Sequence, residues 1–220
     1  MKKILVISPH QDDEVLGCGG SIIKYCKNGD KVHVVYIIAG WSGIPEINSK
    51  QEAIKISEKE ARNACKILGV GKAIFMREED RNISESGKII QKLIKIIREI
   101  NPNLIYAPHP EEKDIEHRIT YKITKEASWL SKSPYLPDLG DPTKSIEAIY
   151  LYEVWTPMKN FYLKEDITKE IDIKLKALSE YKSQLKHLNL IDAIYGLNMY
   201  RGSMTNDAKR FAEVFQIEKP

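Results

Sequence analysis

The run Ser8-Pro9-His10-Gln11-Asp12-Asp13-Glu14 follows the first apolar stretch of the chain, Ile4-Leu5-Val6-Ile7, and leads directly into Val15-Leu16-Gly17-Cys18-Gly19-Gly20. One imidazole and two adjacent carboxylates on a tight loop offer a divalent ion a nitrogen and an oxygen ligand, with one carboxylate left over. A divalent ion that acidifies water, beside a spare carboxylate that takes the proton, is the minimum equipment for hydrolysis. The plainer reading of Asp12, Asp13 and Glu14 is that they cap the following helix and complement its dipole. A lone acid there would favour capping; His-x-Asp-Asp-Glu directly after an apolar strand favours a metal.

A second group of ligand-type residues lies a hundred positions downstream, in Pro108-His109-Pro110-Glu111-Glu112-Lys113-Asp114-Ile115-Glu116-His117-Arg118. Whether it can meet the first depends on the elements between them. Lys3–Ser8 and Val32–Ile38 are β-branched runs too apolar for a half-exposed strand, as in a parallel sheet covered on both faces. Between them a helical stripe of Val15, Leu16, Gly19, Ile22, Ile23 and Cys26 ends at Asn28-Gly29. Ala61, Ala64, Cys65 and Leu68 recur at helical spacing and stop at Gly69. Strands are expected at Lys72–Met76 and Leu104–Ala107, separated by a helix of Ile89, Ile90, Leu93, Ile94, Ile97 and Ile100 that ends at Asn101-Pro102. A fourth helix is expected from near His117 to about Leu130, a long loop over Ser133–Thr143, and a fifth strand at Ile146–Glu153. Ile171, Leu175, Leu178 and Leu185 mark a further amphipathic helix, and the chain is expected to end in more helix.

The order βαβαβαβ predicts an α/β fold, a Rossmann-like doubly wound, mostly parallel sheet with helices on both faces. With strand order 3-2-1-4, the first and fourth strands are neighbours and their connections diverge. The crevice at their carboxyl ends is where such folds bind ligands. Both ligand-rich loops open there. Two imidazoles, one carboxylate and a water make a familiar catalytic zinc arrangement.

The 220 residues, 42% hydrophobic and 30% charged, fit one soluble globular domain spanning 1–220. The 34 basic and 31 acidic residues are interleaved, for a net charge of +3, and no basic block marks a nucleic-acid surface. Three cysteines without a Cys-x-x-Cys pair argue against a disulfide framework or cysteine-bound zinc. No segment approaches membrane-spanning length, and the N-terminal apolar run is too short for a signal peptide, so the cytoplasm is the expected compartment. Homo-oligomer formation is left open.

These residues resemble the PIG-L/LmbE family of zinc-dependent deacetylases, which remove acetyl groups from N-acetylglucosamine-type sugars. The family's His-Pro-Asp-Asp-Glu reads here as His10-Gln11-Asp12-Asp13-Glu14, and its Asp-His-Arg as Glu116-His117-Arg118. Glu153-Val154-Trp155-Thr156-Pro157, Asp166-Ile167-Thr168, Tyr181-Lys182-Ser183-Gln184 and Tyr200-Arg201-Gly202 are similar to later landmarks of bacterial members. The resemblance implies one Zn2+ per chain, other divalent ions being possible, with His10, Asp13 and His117 as ligands and Asp12 as general base. It implies an N-acetylated sugar as the small-molecule substrate. Glu14 reads as a capping or supporting residue.

Four positions depart from the family pattern. Gln11 replaces a proline, with some loss of loop rigidity expected. Asp114 stands where a histidine that helps stabilise the oxyanion is often found. Ala39-Gly40-Trp41-Ser42-Gly43 replaces Thr-x-Gly-Glu, and Ser57 replaces an arginine associated with sugar binding. His109, between two prolines at the end of the fourth strand, is a candidate for the oxyanion or acid role; the alternative is a histidine bonded to a backbone carbonyl. Trp41 is a candidate stacking face for a sugar, and Arg118 a partner for a carboxylate or for substrate. Trp129 and Trp155 read as core, His33 as packed in its strand, and His187 as surface. Gly17, Gly19 and Gly20 lack a full phosphate-binding spacing and read as close helix–sheet packing. Two other functions remain open: a zinc amidohydrolase acting on a non-sugar N-acyl compound, and a non-catalytic sugar- or nucleotide-binding module.

Overall fold

The computed structural model describes residues 1–204 and 210–220. The first apolar run is strand β1 (Lys3–Ser8), followed by helix α1 (Asp13–Lys27), β2 (Lys31–Ile38), α2 (Lys50–Leu68), β3 (Lys72–Glu78), α3 (Gly87–Ile100), β4 (Leu104–Pro108) and α4 (Ile115–Ser131). After these come β5 (Ala148–Tyr152), β6 (Leu163–Asp166), α5 (Ile171–Leu178), α6 (Lys182–Leu185), α7 (Leu190–Ser203) and β7 (Ala212–Glu218). One sheet runs in the order β3-β2-β1-β4-β5-β7-β6. The β1–β5 neighbours all pair in parallel, and β7 is antiparallel to both β5 and β6.

The strands are apolar on both sides because both faces are covered. Ile4 and Val6 of β1, with Val34 and Tyr36 of β2, belong to a core shared with α1, α2, α5 and α7. Leu5 and Ile7, with Val35 and Ile37, point into a second core against α3 and α4. Alternation along a strand therefore distributes side chains between two cores rather than between core and water. Helix ends follow their local chemistry. Ser49, Ser86 and Asp114 accept hydrogen bonds at the N-termini of α2, α3 and α4, while Gly69 and Asn101 close α2 and α3 in left-handed conformation. Gly17 lies directly under the Tyr152 ring, so a β-carbon there would clash, which is the close packing read from the glycines.

Two expectations are corrected. The described C-terminal segment is strand β7, not helix, although α7 precedes it; residues 205–209 lie outside the described residues. In Ala212-Glu213-Val214-Phe215 all four residues are buried, so no alternation was visible, and the buried Glu213 interrupted the apolar run. The helix expected over Ile171–Leu185 is two pieces, α5 and α6, joined through Tyr181. The loop Ser133–Thr143 packs on α3, where Arg98 donates to the carbonyls of Ser133, Tyr135, Leu136 and Gly140. It lines neither cavity described below.

Candidate active site

The β1–α1 turn is held at each residue. Pro9 O accepts from Ile38 N at 3.0 Å, and Ser8 Oγ donates to His10 O at 2.7 Å. Gln11, in place of proline, is buried and donates from Nε2 to Ile38 O at 2.9 Å. The side chain thus ties the turn to the end of β2, against the expected loss of rigidity. Asp12 adopts φ 134°, a conformation L residues rarely occupy, and its carboxylate makes no capping bond. Strain of this kind persists only where the surroundings hold it, and it is concentrated at functional sites. Here it leaves Asp12 lining a cavity of about 120 Å³ with His10 and Asp13.

His117, from the first turn of α4, completes the group. His10 Nδ1, Asp13 Oδ2 and His117 Nε2 are each 3.2 Å from the other two. His10 Nε2 is engaged by Glu116 Oε2 at 2.8 Å, which turns Nδ1 toward the other two ligand atoms. Two ring nitrogens and a carboxylate oxygen thus lie close enough together to ligate one ion. A tetrahedron with that edge has its centre about 2.0 Å from every corner, the length of a zinc–nitrogen or zinc–oxygen bond. His10, Asp13 and His117 are therefore placed to hold a metal ion, and the donor set fits.

Supporting carboxylates surround the triad. Glu14 is fully buried and accepts from Asp12 N at 3.2 Å and from the Tyr181 hydroxyl. Burial pushes its pKa up to about 7, against the tyrosine hydrogen bonds that lower it. Burial, then the neighbouring Asp13 charge, raises Asp12 well above the usual carboxylate range. Asp13 is held below that range: burial opposes ionisation, but His117 and His10 outweigh it. Glu112 accepts from the backbone N–H of Val154 (2.7 Å) and Trp155 (3.2 Å) and lies 3.7 Å from His117 Nδ1. It thereby fixes the exit of β5 against the α4 loop.

A family model described as "GlcNAc-PI de-N-acetylase", PIG-L, matches residues 5–128, more than half of the chain. The chain belongs to the PIG-L family. It is a hydrolytic N-deacetylase. Among its relatives, the diacetylchitobiose deacetylase of Thermococcus kodakarensis is 29% identical over 193 residues, covering 84% of this chain and 70% of the relative. A probable N-acetyl-alpha-D-glucosaminyl L-malate deacetylase of Bacillus anthracis is 25% identical over 198 residues, covering 83% of this chain and 81% of its own length. The N,N'-diacetylchitobiose deacetylase structure from Pyrococcus horikoshii superposes with a TM-score of 0.88 at 29% identity, covering 99% of this chain and 84% of that one.

The other candidates read from the sequence lie at different depths around this PIG-L site. Asp114 lines the cavity, caps α4 by accepting from Glu116 N at 2.8 Å, and accepts from Arg81 Nη1 at 2.9 Å. Burial is the largest single influence and opposes its ionisation. The Arg81 bond, the Glu116 N–H and the nearby His10 and Arg81 charges together outweigh it and the pKa is lowered, so Asp114 is an anion. His109 is 1% exposed and lines neither cavity. Its Nε2 is 2.8 Å from Thr156 O and 3.3 Å from Glu112, one carboxylate behind His117, so the alternative reading of a carbonyl-bonded histidine describes it. Trp41 also lies outside the cavity, with Lys50 Nζ 4.0 Å over its ring. Arg118 donates from Nη1 to the Glu112 and Lys113 carbonyls and lines an adjoining outer cavity.

Other residues were not singled out from sequence. Trp155, read as core, is 42% exposed and lines both cavities, and Trp129 is also exposed. Arg81 enters from the β3–α3 loop at φ 62°, its N–H on Glu116 Oε1 at 2.7 Å and its guanidinium 3.1 Å from Glu116 Oε2. Asp80 accepts from Gly40 N and Ser42 N and holds the β2 loop at the rim. The acid Glu116 inside Glu-His-Arg was the available signal for its pairing with His10; Arg81 and Asp80 carried none.

Proposed function

We propose that this chain is a zinc-dependent N-deacetylase of an N-acetylglucosamine-type sugar joined to a further group, with His10, Asp13 and His117 as metal ligands and Asp12 as general base. The observation that carries it is the 3.2 Å triangle of ligand atoms beside the strained Asp12. Zinc, when bound, supplies a Lewis acid that polarises the amide carbonyl and lowers the pKa of water.

The side chains supply the rest. Asp12 takes a proton from the attacking water and returns it to the amine nitrogen as the C–N bond breaks, leaving acetate and a free amine. Glu116 holds His10 in one tautomer and orientation. Asp114, an anion bound to Arg81, is no donor for the oxyanion, so among the cavity-lining side chains Arg81 at the rim is the cation placed to donate to it. The inner cavity is below the roughly 300–1,000 Å³ of small-molecule sites, which limits it to the acetamido end of the substrate. The outer cavity, about 530 Å³, shares Arg81, Asp114 and Trp155 with it and suits the remainder. This favours a conjugate over free N-acetylglucosamine.

Among the described residues no helix is long and apolar enough to cross a membrane, and the three cysteines are unpaired, which supports a reducing compartment such as the cytoplasm.

Acetate release from N,N'-diacetylchitobiose and alkyl N-acetylglucosaminides, with metal content measured on the same sample, tests this reading. About one zinc per chain and release of acetate are expected. Asp12→Asn is expected to keep the metal and lose roughly 10²–10⁴-fold in kcat. Unchanged turnover in that variant, or loss of its zinc, removes Asp12 from the base role.

A further inference from the structure

We propose that the outer cavity is a subsite for an anion, a carboxylate or phosphate carried by the group attached to the sugar. The inference rests on the deacetylase reading for what occupies the inner cavity, and on separate residues for what occupies the outer one.

The outer cavity is lined by Arg81, Lys113, Asp114, Ile115, Arg118 and Trp155. Three cations face one carboxylate. Arg81 is already shared between Asp114 and Glu116. The other two cations form no ion pair among the described residues. Lys113 lines the cavity with its main chain held, its backbone N–H donating to Thr156 Oγ1 at 2.8 Å. Arg118 spends only Nη1, on two backbone carbonyls, and its remaining N–H groups have no protein partner among the described residues. A guanidinium pinned by one nitrogen, with the rest of its fork open, is pre-organised for an oxyanion.

Elsewhere on this protein, surface cations close to a carboxylate pair with it, as Lys50 does with Glu79 and Lys122 with Glu85. Two unpaired cations at one cavity are a local excess of positive charge, which concentrates anions there. Trp155 and Ile115, 42% and 51% exposed, add an apolar wall that holds the carbon skeleton bearing the anion. The site is thus divided, with the hydrolytic group inside and a cationic, half-apolar pocket outside.

The test compares two nearly isosteric N-acetylglucosaminides, the carboxymethyl glycoside and its neutral carbamoylmethyl counterpart, with a 2-phosphoethyl glycoside as the phosphate arm. On the zinc-loaded protein at low salt, kcat/KM for at least one anionic glycoside is expected to exceed that of the neutral one on the order of tenfold, as charge-assisted hydrogen bonds permit. The ratio is expected to shrink as ionic strength rises. Lys113→Glu is expected to bring it to unity or below, a change that general loss of folding or metal does not produce. Which anion gains more identifies the source.

Calorimetric binding of the corresponding free-amine glucosaminides reads the pocket without turnover. Equal kcat/KM and equal binding for charged and neutral compounds overturn the anion subsite and leave the deacetylase reading standing. No acetate from any glycoside, with tighter binding of the anionic amines, overturns the deacetylase reading and keeps the subsite. No acetate and no binding preference overturn both.

Discussion

At the N-terminus of α1, two imidazole nitrogens and a carboxylate oxygen converge at 3.2 Å. One turn further on, at Cys18, the same helix breaks, with φ −145° and ψ 21°, and a second buried charge cluster fills the break. There Lys174 Nζ donates to Leu16 O at 3.0 Å and to Glu213 Oε1 at 2.7 Å. Glu213 also accepts from Gly20 N, Ser21 N and Ser21 Oγ at 2.7–2.8 Å. Both clusters are largely buried, and both contain acids and a basic partner. In the second, the backbone groups orphaned by the break are paired within the protein. In the first, His117 Nδ1 has no hydrogen-bond partner among the described residues. A buried polar group left unsatisfied costs stability, so a cluster that stays open is maintained for something it binds. The closed cluster is scaffold: it ends one helical segment, starts the next, and thereby aims the Asp12–Asp13 turn.

Removing one member from each cluster gives opposite results, and the largest effect is at the open one. His117→Ala is expected to reduce zinc from about one per chain to near zero, and activity by more than ~10³-fold, beyond the 10–100-fold typical of outer-ring partners. Its urea midpoint without metal is expected to fall modestly below that of the metal-free parent, through the loss of a buried ring and its contact with Asp13. Full zinc occupancy in this variant would show that the triangle is not the metal site.

The open cluster was legible in the sequence and the closed one was not, for a physical reason. His10, Asp12 and Asp13 lie within four consecutive residues on a turn whose strand is an unbroken apolar run, and the α/β alternation places His117 beside them without any knowledge of side-chain contacts. Lys174 and Glu213 are 39 residues apart, one in a short helix and one in a strand whose pattern the glutamate disrupts. Only the antiparallel insertion of β7 between β5 and β6 brings Glu213 under α1. Arg81 and Trp155 were missed similarly, because loop conformation rather than periodicity aims them. His109 was overread. Its place at the end of β4 was correct, but the Thr156 carbonyl and Glu112 hold its ring behind the site.

The second prediction concerns the closed cluster. Lys174→Met leaves Glu213 buried without its counter-charge, and is expected to lower stability by about 3–5 kcal/mol while folded molecules still bind zinc stoichiometrically. Glu213→Leu added to it is expected to recover only part of the loss, since Gly20 and Ser21 then lack an acceptor for their N–H groups. Urea unfolding with metal analysis of the folded fraction measures both. Full recovery in the double variant would mean that the break needs no acceptor.

The smallest effect is expected at Asp114, which belongs to neither cluster yet touches the open one through Arg81 and Glu116. Asparagine caps a helix about as well as aspartate, so Asp114→Asn keeps the bond from Glu116 N. Arg81 is 58% exposed and retains Glu116 as its partner, and an exposed ion pair contributes only about 0–1 kcal/mol. The expected outcome is therefore a stability change within about 1 kcal/mol and a kcat within roughly threefold of the parent. Steady-state kinetics on a neutral glycoside separate this from the alternative, in which a protonated Asp114 donates to the oxyanion. A hundredfold loss of kcat at unchanged KM would place Asp114 in the transition state, and the lone pairs it now offers to Arg81 would then have to be exchanged for an O–H during turnover.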